Sequence, residues 1–270
     1  MSQLQELLEA AGLTRVSAEI MQVALPSIRL KAHPVEETQL EQGATKFGGS
    51  PDFPAGYTWP ERDGLPLPFV AQINLSEVAP YDRLRLLPAQ GMLYFFFDLH
   101  AFFDSWPRRQ STWRVLYDSS ALPALQRVAM PETGAKRRHY RPSTVAFSTE
   151  ITLPDYSQYD STSVQRLGLS GLLTNEEELA YYAVQAQLAG TAGTTYHIPL
   201  HRLLGHPDVV QWDMHRDLEG APTEWQLPFQ VDSDDAPDTE WEDTGRLYYW
   251  MRTRDLAKRD FRILASANKS

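Results

Sequence analysis

The N-terminal residues carry a one-sided apolar stripe: Leu4, Leu7, Leu8 and Ala11 recur at helical spacing, and Gly12 is a natural stop. A second helix is expected from about Arg15 to Ala24, with Val16, Ile20 and Val23 on one face and Pro26 ending it. The period then changes. Ile28, Leu30 and Ala32 alternate with Arg29 and Lys31, as in a half-buried strand. PFVAQINL from Pro68 reads as a buried strand and GMLYFFFDL from Gly91 as another; the runs Leu93–Phe97 and Leu247–Met251 are almost wholly apolar, as in strands buried on both faces. Trp113–Tyr117 is a further strand candidate, and Trp225–Val231 and Arg246–Arg252 are two more. Thr174 to Leu188 is the clearest helix, with Thr174 and Glu177 spaced as a capping box and Gly190 as its stop. A short helix is expected near Arg254.

Between these elements, residues 43–68 hold five glycines and five prolines, so regular structure is not expected there. The stretch also holds Phe47, Phe53, Tyr57 and Trp59, and aromatic-rich loops are usually pinned to a core.

The two ends of the chain rhyme. Gly49-Ser50-Pro51-Asp52 matches Gly205-His206-Pro207-Asp208. Gln72-Ile73-Asn74 matches Gln230-Val231-Asp232, and Gly91-Met92-Leu93-Tyr94 matches Gly245-Arg246-Leu247-Tyr248. Pro51 to Pro207 is 156 residues, Gln72 to Gln230 is 158 and Gly91 to Gly245 is 154, so the offset is nearly constant. This predicts two copies of a loop–strand–loop–strand unit, each too poor in apolar surface to stand alone. They are expected to share one sheet or to form two facing sheets. The expectation is a single α+β domain, mainly antiparallel, with two pseudo-symmetric repeats and peripheral helices. Its segments are 1–26 (helical), 27–105 (repeat one), 106–190 (an insertion with a helix) and 191–265 (repeat two).

A length of 270 residues suits one large domain or two small ones. The 35 acidic against 25 basic residues leave −10, which argues against a chain built to grip nucleic acid or an anionic membrane. The absence of cysteine removes disulfides, thiolate nucleophiles and Cys-ligated zinc. It also fits a reducing cytoplasm. No secretory signal is visible at the N-terminus, and no apolar run approaches the roughly 18 residues that span a bilayer.

The segments KFGGSPDFPAGYTWP, GLPLPFVAQINLSEV and LPAQGMLYFFFD resemble the YwqG-like family, a bacterial group of unknown function. HRLLGHPDVVQWDM, WQLPFQVDSDD and EWEDTGRLYYWM resemble its second half. The resemblance covers roughly residues 25–265. It implies one α+β fold with two structural repeats and no established catalysis. It also implies association with toxin loci in some bacteria. Glu242 departs from the family, which more often has glycine there, so the local turn geometry is open.

The most charged spot is the connection Asp232-Ser233-Asp234-Asp235, followed by Asp238, Glu240, Glu242 and Asp243. A solvated strand connection, a surface for a basic partner and a hard-cation site are its three readings. The spacing is not that of an EF-hand. His197 and His201 stand four apart, but Pro199 between them opposes a zinc helix, so these and His206 read as ordinary loop and core-edge histidines. Gln72, Asn74, Gln230 and Asp232 are polar residues in otherwise buried strands. They either floor a ligand groove or tie down the Gly/Pro-rich loops. Trp59, Trp241, Tyr57 and Trp212 either line a recognition surface or lock loops to the core. Lys136-Arg137-Arg138-His139 reads as a solvated basic loop. No nucleophile elbow, phosphate loop or dinucleotide fingerprint occurs, so no cofactor and no metal are expected. The leading expectation is a non-catalytic cytosolic binding protein for a basic protein partner, one version being toxin neutralisation. The rival is a metal-dependent hydrolase or small-ligand binder using Asp232, Asp234 and His206 in a cleft between the repeats. The oligomeric state is open.

Overall fold

A computed structural model of the chain describes residues 2–104, 112–120, 122–134, 137–156, 171–210, 218, 220–261 and 264–269. Trp212 and Lys136 lie outside the described residues.

Ten strands form one antiparallel sheet. At its centre β1 (Leu25–Pro34) pairs with β10 (Ser143–Thr152) from Leu25↔Thr152 to Pro34↔Ser143. Beyond β10 come β2 (Lys46–Phe47), β6 (Phe69–Asn74), β7 (Met92–Phe97) and β8 (Trp113–Asp118). Beyond β1 come β11 (His201–Leu203), β12 (Trp225–Asp232), β13 (Arg246–Arg252) and β14 (Leu264–Lys269). Two small ribbons complete the strands: β3 (Asp52–Pro54) with β9 (Leu125–Arg127), and β4 (Glu61–Arg62) with β5 (Leu65–Pro66).

The sheet curls until its two wings touch face to face. Phe95 of β7 packs 4.6 Å from Phe229 of β12 and 4.9 Å from Tyr249 of β13, centroid to centroid. The Tyr249 hydroxyl donates to the Phe96 carbonyl at 3.3 Å. Twist accumulated over ten strands makes such closure geometrically natural. The enclosed face holds the main core, with Ile28, Phe47, Ile73, Leu93, Val231 and Leu247 all buried. Every residue of β6 and β7 is buried, because the aromatic loop covers their outer face with Phe53 and Trp59. The loop aromatics are thus pinned to the core, as aromatic-rich irregular segments usually are.

A second apolar cluster joins the N-terminal helices Ser2–Ala10 and Ser17–Val23 to helix Asn175–Ala189 through Leu8, Ile20, Tyr181 and Val184. The segment expected to be an insertion (106–190) is not mere decoration: it supplies β8 and the central β10. The strand β10 alternates weakly, with Val145 and Phe147 only partly buried against the core, so no clear period marks it in the sequence. No helix among the described residues is long and apolar enough to cross a membrane.

Candidate functional site

The buried polar residues gather at two nodes, one in each wing of the sheet. In the first, the Gln72 amide oxygen accepts from the Asp52 backbone N–H at 2.8 Å, and its NH2 group donates to the Ala44 carbonyl at 2.8 Å. In the second, Gln230 accepts from the Asp208 N–H at 2.9 Å and donates to the Leu200 carbonyl at 2.6 Å. The Tyr94 hydroxyl donates to the Asp52 carbonyl and that of Tyr248 to the Asp208 carbonyl, each at 2.7 Å. The Asn74 N–H donates to Thr45 Oγ1, and the Asp232 N–H donates to His201 Nδ1. Left-handed backbone precedes each Pro-Asp pair: φ is +59° and +64° at Gly48 and Gly49, and +61° and +77° at Leu204 and Gly205.

These bonds decide what the strand amides do. Gln72 and Gln230 are fully buried and hold loop backbone, so they do not floor an open groove. Asn74 donates to the Gly43 carbonyl and caps helix Leu75–Val78. The tryptophans are likewise spent inside. Trp59 Nε1 donates to the Leu67 carbonyl at 2.9 Å, and Trp241 Nε1 to the Asp232 carbonyl at 3.2 Å. Neither lines an exposed surface: Trp241 has no exposure and Trp59 has 6%.

Each node carries buried ion pairs that the sequence did not announce. Lys46, with no exposed side chain, reaches Asp52 at 2.9 Å, and Arg127 Nε reaches the same carboxylate at 2.9 Å. Burial pushes the Asp52 carboxyl up, but Arg127 and Lys46 outweigh it and hold it below its ordinary value. Burial lowers the Lys46 ammonium, with Asp52 opposing. In the second node Arg246 bridges Asp232, at 2.8 Å, and Asp208. Burial pulls the guanidinium down, and the two carboxylates pull it up further.

The acidic connection splits into an inner and an outer part. Asp232 is fully buried; its Oδ2 accepts from the Leu200 N–H and from Arg246, and its Oδ1 accepts from the Ser233 N–H. Asp234 accepts from His201 Nε2 at 2.9 Å and from the Ala236 N–H at 2.8 Å. Since His201 Nδ1 accepts from the Asp232 backbone N–H, Nε2 is the ring nitrogen that donates to Asp234. Burial raises the Asp234 carboxyl, and His201 and Ala236 more than offset this. Thr239 exchanges two backbone bonds with Asp234 and donates its hydroxyl to the Asp232 carbonyl at 2.9 Å. The outer carboxylates Asp235, Asp238, Glu240, Glu242 and Asp243 are exposed. Glu242 has φ +62°, a conformation that glycine adopts without strain.

The grouping of Asp232, Asp234 and His206 is not what forms. His206 Nε2 meets the Val23 carbonyl at 2.7 Å, and the histidines beside the two carboxylates are His197 and His201. Among the described residues no three His, Asp or Glu side chains are placed to hold a metal ion.

Among the described residues, three of the clefts bear on the site. One of about 390 Å³ separates the wings and brings Arg137, Arg138 and Tyr140 opposite Glu240 and Glu242. Arg137 pairs with buried Asp98 at 2.8 Å, and Arg138 with Asp238 at 3.1 Å. The basic cluster and the acidic connection are therefore neighbours, which their separation in sequence hid. A second cleft, about 270 Å³, lies against helix Asn175–Ala189 and includes Arg202 and Asp208. A third, about 230 Å³, lies near Leu4 and Arg83. None of the three is lined by Asp232 or Asp234.

No curated protein matches the chain. The sequence model of the family described as Domain of unknown function (DUF1963) matches residues 45–266, which takes in the Pro-Asp pairs and strand amides of both nodes and β2 to β14 but for its last residues. The chain, with its single curled antiparallel sheet, belongs to that family.

Proposed function

We propose that the protein is a non-catalytic cytosolic binding protein whose partner is a protein with a basic surface. The observation that carries this reading is the division of the acidic connection. Asp232, Asp234, Thr239 and Trp241 lock it from within, while Asp235, Asp238, Glu240, Glu242 and Asp243 are exposed, Asp238 in an ion pair with Arg138. A charged loop held by buried bonds loses little further entropy on binding, so its charge is usable for recognition. Five carboxylates on one connection, in a chain of charge −10, favour a cationic surface. Neutralisation of a basic toxin-like protein is the concrete version suggested by the YwqG-like motifs. We place the chain in that group within its family. The matched bonds of Gln72 with Gln230 and Tyr94 with Tyr248 further support descent of the two wings from one duplicated unit.

The test is affinity capture from the source organism with wild type and with Asp235→Asn/Glu240→Gln/Asp243→Asn. The expected result is one stoichiometric basic protein, lost in the triple variant and released near 1 M salt, where screening falls to about 3 Å. Equal recovery by both proteins, or none by either, refutes the reading. The rival, a metal-dependent hydrolase, is disfavoured by the ion pair that neutralises Asp232.

A further inference from the structure

Among the described residues, Arg202 is one of the buried groups with a donor that makes no hydrogen bond. Its side chain is 4% exposed, and it lines the cleft of about 270 Å³ beside helix Asn175–Ala189. A guanidinium has five N–H donors. Among the described residues Arg202 makes one hydrogen bond, from Nη1 to the His206 carbonyl at 3.1 Å. Its Nε lies 3.1 Å from Glu150 Oε1, within ion-pair range, yet makes no hydrogen bond. The nearby carboxylates are shared with other groups. Glu150 accepts from Arg29 Nε at 2.8 Å and from the Ser27 hydroxyl at 3.2 Å, and Asp208 pairs with Arg246.

The counterpart in the other wing is closed. Lys46 stands where Arg202 does relative to its Pro-Asp pair, and it is bonded to Asp52 with no exposure. In the second wing Arg246 draws Asp208 away, so the cation at the equivalent place keeps unmet donors beside a cleft. A buried polar group without partners is costly unless something satisfies it. Arginine forks suit a planar, two-oxygen acceptor. The same cleft is lined by Glu150, Asp155 and Asp208, so a doubly charged anion is disfavoured there. A ligand carrying one carboxylate and one cation meets both signs. The size is below that of drug-sized sites, and Leu153, Tyr182 and Val209 supply an apolar wall.

We propose that this cleft binds a free amino acid, its carboxylate on Arg202 and its ammonium toward Asp155 and Asp208. The test is thermal-shift and calorimetric titration of the full chain with the twenty L-amino acids. Each hit is repeated as its amide and as its N-acetyl derivative. At a hundredfold excess over Kd, at least one amino acid should raise Tm by about 5 °C. Both derivatives should lose the effect. Tyr182→Ala, at a residue 37% exposed, should weaken binding by about tenfold with an unchanged Tm of the free protein. Arg202→Lys should abolish the response. No shift with any amino acid overturns the proposal. So does an amide that binds as well as its acid, or binding that Tyr182→Ala leaves intact. This outcome is independent of the acidic connection, whose capture experiment does not involve the cleft.

Discussion

Gly205 shows how single positions set the second node. Its φ is +77°, and a Cβ there would stand 2.6 Å from Ser27 Cβ and 2.6 Å from Thr152 Oγ1. Gly205→Ala should therefore destabilise by about 3 kcal/mol, read as a lower midpoint in urea at unchanged slope. The carboxylates of the two nodes set the response to acid. Asp52 and Asp234 are both held below their ordinary value in the folded chain. A depressed carboxyl contributes stability above its unfolded pKa, and that contribution is lost as pH falls through the folded one. Urea midpoints should thus be level above about pH 5 and fall steeply below about pH 4. Asp234→Asn, which keeps an acceptor but no charge, should flatten part of that fall; an unchanged profile would refute the role given to Asp234. At this scale the sequence was legible only in part. The rhyming Gln72 and Gln230 were visible, and their duty as loop anchors was one of two open readings. Lys46 was invisible because lysine is almost never fully buried without a partner, and nothing local marks Asp52 as that partner.

At the scale of elements, helix Asn175–Ala189 forms as its sequence dictates. Thr174 Oγ1 accepts from the Glu177 N–H at 3.3 Å, Glu177 reaches back to the Thr174 N–H at 2.8 Å, and Gly190 closes the helix at φ +70°. Thr174→Ala should cost about 1 kcal/mol, measurable by chemical denaturation. A loss under a few tenths would mean that packing of Tyr181 and Val184 alone sets this helix. The strands β7 and β13 were equally legible, because runs buried on both faces are almost wholly apolar; β6 and β12 showed as shorter apolar runs broken by their repeated amides. The strand β10 was not. Five of its ten residues are β-branched, a usable signal, but Ala146, Ser148 and Thr149 are exposed and blur the alternation. The pair His197 and His201 also illustrates the limit. Their spacing invites a helix face, whereas His201 sits in β11 and turns its ring to Asp234.

At the scale of the molecule, the curl of the sheet joins wings that are distant along it. Phe95 touches both Phe229 and Tyr249, so Phe95→Ala should cost about 3–5 kcal/mol. The unfolding of wild type should remain one transition, with tryptophan fluorescence and far-ultraviolet dichroism superimposing. Two separated transitions would show that the wings are independent folding units. The sequence by itself determined the class, the apolar strands, the capped helix and the recurrence of the polar residues. Each of these follows from local periodicity, capping chemistry or repetition. Tertiary structure alone decided that β1 and β10 lie at the centre, since strand order depends on pairings far apart in the chain. It also decided which charges are buried and which are offered to solvent. Asp232 and Asp235 are the same residue type three positions apart. One is enclosed by Arg246 and Leu200, the other faces water, and only the closure of the sheet separates their roles.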